Sequence, residues 1–173
     1  MTFRVSLSNT EGAQCDTVKQ KMKVINGGIF QDERGTLRFV NDFDFSDVKR
    51  FYQIENSSTD VVRAWQGHKV ENKYFFVSAG SFLICCVKID DWDNPSPDLL
   101  VEKIILTANE SSILMIPAGY ATGIKALGEG SKLIVFSSNT LEDGKDDNYR
   151  FPADMWVNWE EEASLSYSEE DTE

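Results

Sequence analysis

The chain has 173 residues, 41% of them hydrophobic and 27% charged, a balance that excludes general disorder and supplies enough apolar material for a single core. Seventeen basic side chains stand against 29 acidic ones, and a net charge of -12 argues against any nucleic-acid partner, because sequence-independent binding to phosphates needs many cations. No apolar run reaches the length of a membrane span or of a signal-peptide core, so a cytoplasmic protein with no membrane partner is expected.

Residues 1–22 are weakly patterned and read as an N-terminal arm. Residues 23–30 read as a strand interrupted at Gly27 and Gly28, residues 32–35 as a turn, and residues 36–40 as a second strand. A loop over 42–47 leads to a strand over 48–55 and a turn over 56–60. Residues 62–80 read as a hairpin whose turn lies near Glu71 and Asn72, and residues 81–89 follow at once as a further strand. Residues 90–97 form a turn-rich connection, 98–106 and 112–116 alternate as strands, 117–123 carry turn chemistry, and 131–137 are a strong strand. Residues 151–159, with two tryptophans, are expected to pack a last element on the body, and residues 160–173 to form an acidic, solvated tail.

The expected organisation is therefore an arm over 1–22, one domain over 23–159 and a disordered tail over 160–173. About nine or ten short strands at roughly eight- to twelve-residue spacing, with no alternating helices, define an all-β class, best satisfied by a double-sheet jelly roll. Cys15 and the adjacent Cys85 and Cys86 match neither a disulfide framework nor zinc-ligand spacing. In a strand, Cys85 and Cys86 would face opposite sides as reduced, buried thiols.

The candidate site lies in residues 62–80, which hold the only histidine, His68. If residues 64–69 are extended, Gln66 and His68 share a face and Trp65, Gly67 and Lys69 share the other. Beyond the turn, Lys73, Phe75 and Val77 share one face and Tyr74, Phe76 and Ser78 the opposite one, so Lys73 could join the polar pair. A lone strand histidine is most often structural. Arg63, Lys69 and Lys73 nevertheless set a cationic patch beside it, against the sign of the whole chain, and an anionic small ligand is the natural partner.

Several pieces in order resemble the RmlC-like cupins, the branch of dTDP-4-dehydrorhamnose 3,5-epimerases and nucleotide-sugar ketoisomerases. They are Asp32-x-Arg34-Gly35, Gln53-x-x-x-Ser57, Val62-Arg63-Ala64-Trp65-Gln66-x-His68, Gly80, Pro95-Ser96 and Pro117-x-Gly119-Tyr120-Ala121-x-Gly123. The resemblance spans residues 24–155. It implies a cupin double-stranded β-helix that forms a homodimer, exchanges N-terminal strands, and binds a dTDP-sugar or similar anionic small molecule, with no metal and no cofactor. It also implies proton abstraction next to the keto group of a dTDP-4-keto-6-deoxy sugar, by a carbohydrate epimerase or isomerase of deoxysugar and polysaccharide biosynthesis. That chemistry needs a base, a group to stabilise the enolate, and an acid.

Carried over residue by residue, the resemblance places Gln66 where the epimerases have their catalytic histidine and Thr122 where a second site histidine stands. His68 matches the second histidine of the ketoisomerase His-x-His pattern and is the expected base. Lys73 falls near the lysine that stabilises the enolate, and Arg63 on the arginine that pairs with diphosphate or keto oxygen. Arg34 and Gln53 match nucleotide contacts, and Gln66, Tyr74 and Thr122 complete the expected substrate-binding set. The tyrosine acid falls near Phe136, which has no proton to give, so its role passes to Tyr120, with Tyr74 and Tyr52 as alternatives. The wider cupin metal pattern is reduced to Gln66, His68, Glu71 and Thr122, a poor divalent site. Two alternatives remain open: a non-catalytic sugar-nucleotide-binding cupin that has lost the histidine dyad, and a docking cupin whose Trp156 and Trp159 serve association.

Overall fold

Side chains that alternate apolar and polar every second residue must have one face to bury, and the chain meets that demand with two packed sheets. The structure, a computed structural model, describes residues 21–162. Residues 1–20 of the expected arm, Cys15 and the tail beyond Glu162 lie outside the described residues.

The strands are β1 (Lys23–Asn26), β2 (Gly28–Asp32), β3 (Gly35–Phe39), β4 (Arg50–Glu55), β5 (Val62–His68), β6 (Lys73–Ala79), β7 (Ser81–Lys88), β8 (Val101–Thr107), β9 (Ser112–Ile116), β10 (Tyr120–Ala126), β11 (Lys132–Ser137) and β12 (Tyr149–Arg150), followed by a helical turn α1 (Trp159–Glu162). One sheet has the order β1-β9-β6-β11-β4 and the other β12-β5-β10-β7-β8, while β2 and β3 form a separate ribbon. All pairings are antiparallel. This is the all-β jelly roll expected from the sequence.

Between the sheets lie Phe75 and Val77 of β6, Leu133 and Val135 of β11, Leu114 and Ile116 of β9, facing Phe82, Ile84 and Cys86 of β7 and Tyr120 and Ile124 of β10. Cys85 points the other way, into a second cluster with Trp65, Leu83 and Val87. Both thiols are free and buried, and burial pushes Cys85 up to about 12, so neither is a nucleophile.

Residues 62–80 are not a hairpin. β5 pairs with β10 and β12, whereas β6 pairs with β9 and β11, so residues 69–72 carry the chain from one sheet to the other and Gly80 carries it back. Gly80 has φ +65°, a left-handed conformation that favours glycine in so abrupt a reversal. Period-two alternation is identical for a hairpin and for strands that face each other across a sandwich, which is why pattern alone misassigned the partners. Strand β10 also begins at Tyr120, inside the stretch that carries turn chemistry.

The outer face of the second sheet is sealed by the C-terminal segment. Trp65 and Trp159 both donate an indole N–H to the carbonyl of Ala153, at 3.1 and 2.8 Å, and Trp156 donates to that of Ser96 at 2.9 Å. Trp156 and Trp159 therefore pack the body rather than form a docking surface. Glu160 to Glu162, assigned to the tail from sequence, belong to α1, and Glu162 pairs with Lys103.

Where β5 meets β10 the register slips: Thr122 faces Gln66 and Ile124 faces Arg63, so Ala64 and Trp65 oppose Gly123 alone. This bulge turns Arg63 to the inner face that Gln66 and His68 already share. Gly123 leaves room for it, because a Cβ there would come within 2.6 Å of the Trp159 ring and 3.0 Å of Ala64 Cβ. Gly123→Ala is expected to overpack this seam and to lower stability by about 1–3 kcal/mol in urea unfolding. A midpoint equal to that of the unsubstituted chain would mean the seam is slack.

Candidate active site

The two sheets part between edge strand β4 and the short edge strand β12, and a cavity of about 690 Å³ opens there. That volume is in the range of small-molecule sites. Five cations line it: Arg50 from β4, Arg63 from β5, Lys73 from β6, Lys145 from the 138–148 connection and Arg150 from β12. Among the described residues only two carboxylates do so, Glu55 and Glu71. In a chain of net charge -12, this is a local field of the opposite sign, suited to an anion.

His68 ends β5 at the inner end of this cavity and is 6% exposed. Its Nδ1 lies 2.5 Å from the main-chain carbonyl of Asp147 and 2.9 Å from Glu71 Oε2. A carbonyl and a carboxylate are both acceptors, so Nδ1 carries the proton, donating to the Asp147 carbonyl with the Glu71 carboxylate beside it. The other nitrogen, Nε2, is buried without a hydrogen-bond partner. A neutral ring in this tautomer has its lone pair on Nε2.

Glu71 sits in the crossing between the sheets with 1% of its side chain exposed. Arg50 donates to its Oε1 at 3.2 Å, the Ser137 hydroxyl donates to the same oxygen, and Lys73 Nζ lies 3.7 Å from Oε2. Burial is the largest single influence and raises its pKa, yet hydrogen bonds from His68 and Ser137 and the charges of Lys73 and His68 outweigh it and hold the carboxyl down at about 2. Lys73 Nζ also donates to the hydroxyl of Tyr52 at 3.0 Å. With its oxygen accepting from an ammonium, Tyr52 keeps its own proton for another acceptor.

The crossing is held by Asp147. Its carboxylate accepts the backbone N–H groups of Lys69, Val70 and Glu71 at 2.6, 3.1 and 2.9 Å, tying the 138–148 connection to the turn. Donor atoms of His68, Glu71 and Asp147 lie within 4.8 Å of one another, a grouping that could suggest a metal. The group does not fit one: the Asp147 oxygens are committed to amides, and Glu71 already balances Arg50 and Lys73.

Of the nine residues expected at the site, His68, Lys73, Arg63, Gln66, Gln53 and Thr122 line the cavity together. Gln66 donates its amide N–H to Asn148 at 3.0 Å, and the Thr122 hydroxyl donates to the Gln66 carbonyl at 3.4 Å. Three do not line it. Tyr74 is on the outward parity of β6, packed on Phe43 with its hydroxyl donating to Asp47 at 2.8 Å. Tyr120 is inward but belongs to the apolar core, where burial and then the charges of Glu102 and Cys86, on the far side of β10 from His68, raise its pKa. Arg34 stands in the β2–β3 turn, where the turn closes on itself through its ion pair with Asp32 at 2.5 Å. Phe136 also faces outward, among Phe43, Phe45 and Phe51. Its inward neighbours on β11 are Val135 and Ser137.

The sequence pointed to Tyr52 only as an alternative acid and to Glu71 only as a remnant of a metal pattern, and it did not single out Arg50, Lys145, Asp147 or Arg150. Tyr52 had a signal, its inward parity in β4. Asp147 and Lys145 had none, because they lie in an irregular connection.

The fold is a double-sheet β jelly roll with a cation-lined cavity between its sheets. No family model matches the sequence, and no curated protein matches it. Solved structures do match in shape. The WlaRB TDP-quinovose 3,4-ketoisomerase of Campylobacter jejuni superposes with a TM-score of 0.59 at 21% identity, over 84% of this chain and 98% of that one. A histidine-to-asparagine mutant of the QdtA 3,4-ketoisomerase of Thermoanaerobacterium thermosaccharolyticum, in complex with TDP-4-keto-6-deoxyglucose, gives 0.59 at 21%, over 84% and 93%. The rmlC epimerase of Mycobacterium tuberculosis gives 0.65 at 17%, over 87% and 78%.

The Glu71 carboxyl sets an acid limit on stability. Its folded value near 2 lies below the usual 4.5, so its contribution is complete above about pH 4.5 and is lost as pH falls toward 2. The difference corresponds to at most about 3 kcal/mol. Glu71→Gln is therefore expected to be less stable than the parent at pH 7 and to lose less stability between pH 4.5 and 2. Parallel stability curves over that window, from chemical unfolding, would contradict the assignment.

Proposed function

We propose that the protein is a sugar-nucleotide isomerase or epimerase that moves a proton next to the keto group of a dTDP-4-keto-6-deoxy sugar. The observation that carries this reading is His68: the only imidazole of the chain, fixed through Nδ1, with a buried and unpartnered Nε2, on the wall of a cavity lined by five cations. The fold supports it, because it is shared with two 3,4-ketoisomerases, one of them in complex with TDP-4-keto-6-deoxyglucose, and with an epimerase.

In this reading the sugar lies at the inner end, near His68, Lys73 and Tyr52, and the diphosphate lies outward among Arg63, Lys145 and Arg150. His68 Nε2 takes the proton from the carbon beside the ketone. The C–H electron pair becomes the enolate double bond, and the carbonyl oxygen takes the negative charge close to the Lys73 ammonium. Tyr52 donates its proton as the enolate collapses, or His68 returns its own. The Gln66 amide can orient a sugar hydroxyl but cannot abstract a proton.

The test is proton NMR of a dTDP-4-keto-6-deoxyhexose with the purified protein in deuterated buffer. Signals of the protons on carbons 3 or 5 are expected to disappear by exchange. His68→Asn is expected to slow that exchange by roughly 10²–10⁴-fold while dTDP affinity stays within a few fold. Ligand line broadening without exchange in the unsubstituted protein would sink the enzymatic reading and leave a binding cupin without proton chemistry.

A further inference from the structure

Glu71 touches both halves of the site, yet no proton step described above uses it. We propose that Glu71 is a positioning residue that joins the base and the acid of the cavity into one charge unit. It fixes the Nδ1–H tautomer of His68, balances the positive charge that arises when Nε2 takes the substrate proton, and holds the Lys73 ammonium against Tyr52. The inference rests on the proton-transfer reading of the site.

The geometry runs through one oxygen. Oε2 of Glu71 lies 2.9 Å from His68 Nδ1 and 3.7 Å from Lys73 Nζ, which in turn lies 3.0 Å from the Tyr52 hydroxyl. The other oxygen is engaged by Arg50 and Ser137, which hold the carboxylate in place. Among the described residues Oε2 has no hydrogen-bond partner of good geometry, and the His68 ring and the Lys73 ammonium approach it as neighbouring charges.

The remaining groups around the ring do not provide the same balance. The Asp147 carbonyl shares Nδ1 at 2.5 Å and orients the ring, but it has no net charge. The Asp147 carboxylate is 3.8 Å from Nδ1 and is committed to three backbone amides. Lys73 from β6 and Arg50 from β4 are cations, which oppose an imidazolium, and Tyr52 from β4 lies beyond Lys73. Among the described residues Glu71 is thus the one ionised carboxylate near the ring whose charge is directed at it. When Nε2 gains the proton, Glu71 and His68 form an ion pair. When the proton returns to carbon, the neutral Nδ1–H tautomer is restored.

Two measurements test this without substrate, because the chain has a single histidine. Nitrogen-15 NMR of the unsubstituted protein is expected to show a neutral ring protonated at Nδ1, and protonation at Nε2 instead would overturn the proposal. In Glu71→Gln the midpoint of the histidine titration is expected to move to lower pH by about one unit or more, since an anion beside the ring favours its charged form. Glu71→Asp, which keeps the charge, should retain most of the parent midpoint and serves if the glutamine variant folds poorly. The kcat for proton exchange should drop at least about tenfold in Glu71→Gln with KM within about twofold. An unmoved midpoint would overturn the proposal even if turnover fell, because a merely structural carboxylate changes stability without changing the proton affinity of the ring. Failure of the exchange experiment on the parent would instead remove the enzymatic reading and leave the titration result standing.

Discussion

A charge buried in the crossing between two sheets must be satisfied from both of them, and the carboxylate of Glu71 imposes that constraint here. An unpaired carboxylate at 1% exposure would cost several kcal/mol, so the surrounding strands have to present donors. They do so from β4 with Arg50, from β5 with His68, from β6 with Lys73 and from β11 with Ser137. These side chains hold one sheet to the other at the end where the core is polar, and the same contacts decide where the only imidazole points. Stability and chemistry are therefore written on the same atoms.

The second constraint is on the backbone. Residues 69–72 have too few neighbours in either sheet to satisfy their amides, and Asp147 accepts three of them. Because its own carbonyl then meets His68 Nδ1, the 138–148 connection is placed over the cavity rather than left to run over the surface. That placement brings Lys145 and Asn148 to the cavity wall, and β12 follows with Arg150. Strongly acidic as the chain is, its fold collects cations around one opening, a contrast that draws an anionic ligand toward that opening.

Much of this was legible in the sequence. The strand set, the opposite facing of Cys85 and Cys86, and the shared face of Gln66 and His68 all follow from the period of two, which is a local property. Pairing partners do not, because the alternation of residues 62–80 is the same whether β5 lies beside β6 or across from it. Arg63 escaped the parity rule for a different reason: the extra residue opposite Gly123 shifts it by one place, and no local pattern announces a bulge. Tyr120 and Arg34 were chosen by resemblance to motifs, and a motif fixes order along the chain without fixing where a hydroxyl or a guanidinium ends. Tyr74 was placed in the binding set by resemblance, although its parity, opposite to that of Lys73 and Phe75, already turned it outward.

The position of the base bears on how the cavity is used. Along a strand, residues two apart on one face are separated by roughly 6–7 Å, so an imidazole at His68 rather than at Gln66 stands that much nearer the crossing. The groups that could serve an enolate, Lys73 and Tyr52, are gathered at that end, and Glu71 connects them to the ring. At the place where the resemblance expects a histidine, Gln66 is instead bound to Asn148, beside Thr122. The two changes from histidine thus leave neutral polar groups in the middle of the cavity, between the outer cations and the charged cluster around Glu71. A keto group that reaches this cluster meets base, cation and hydroxyl together, whereas one held beside Gln66 would meet an amide and no base.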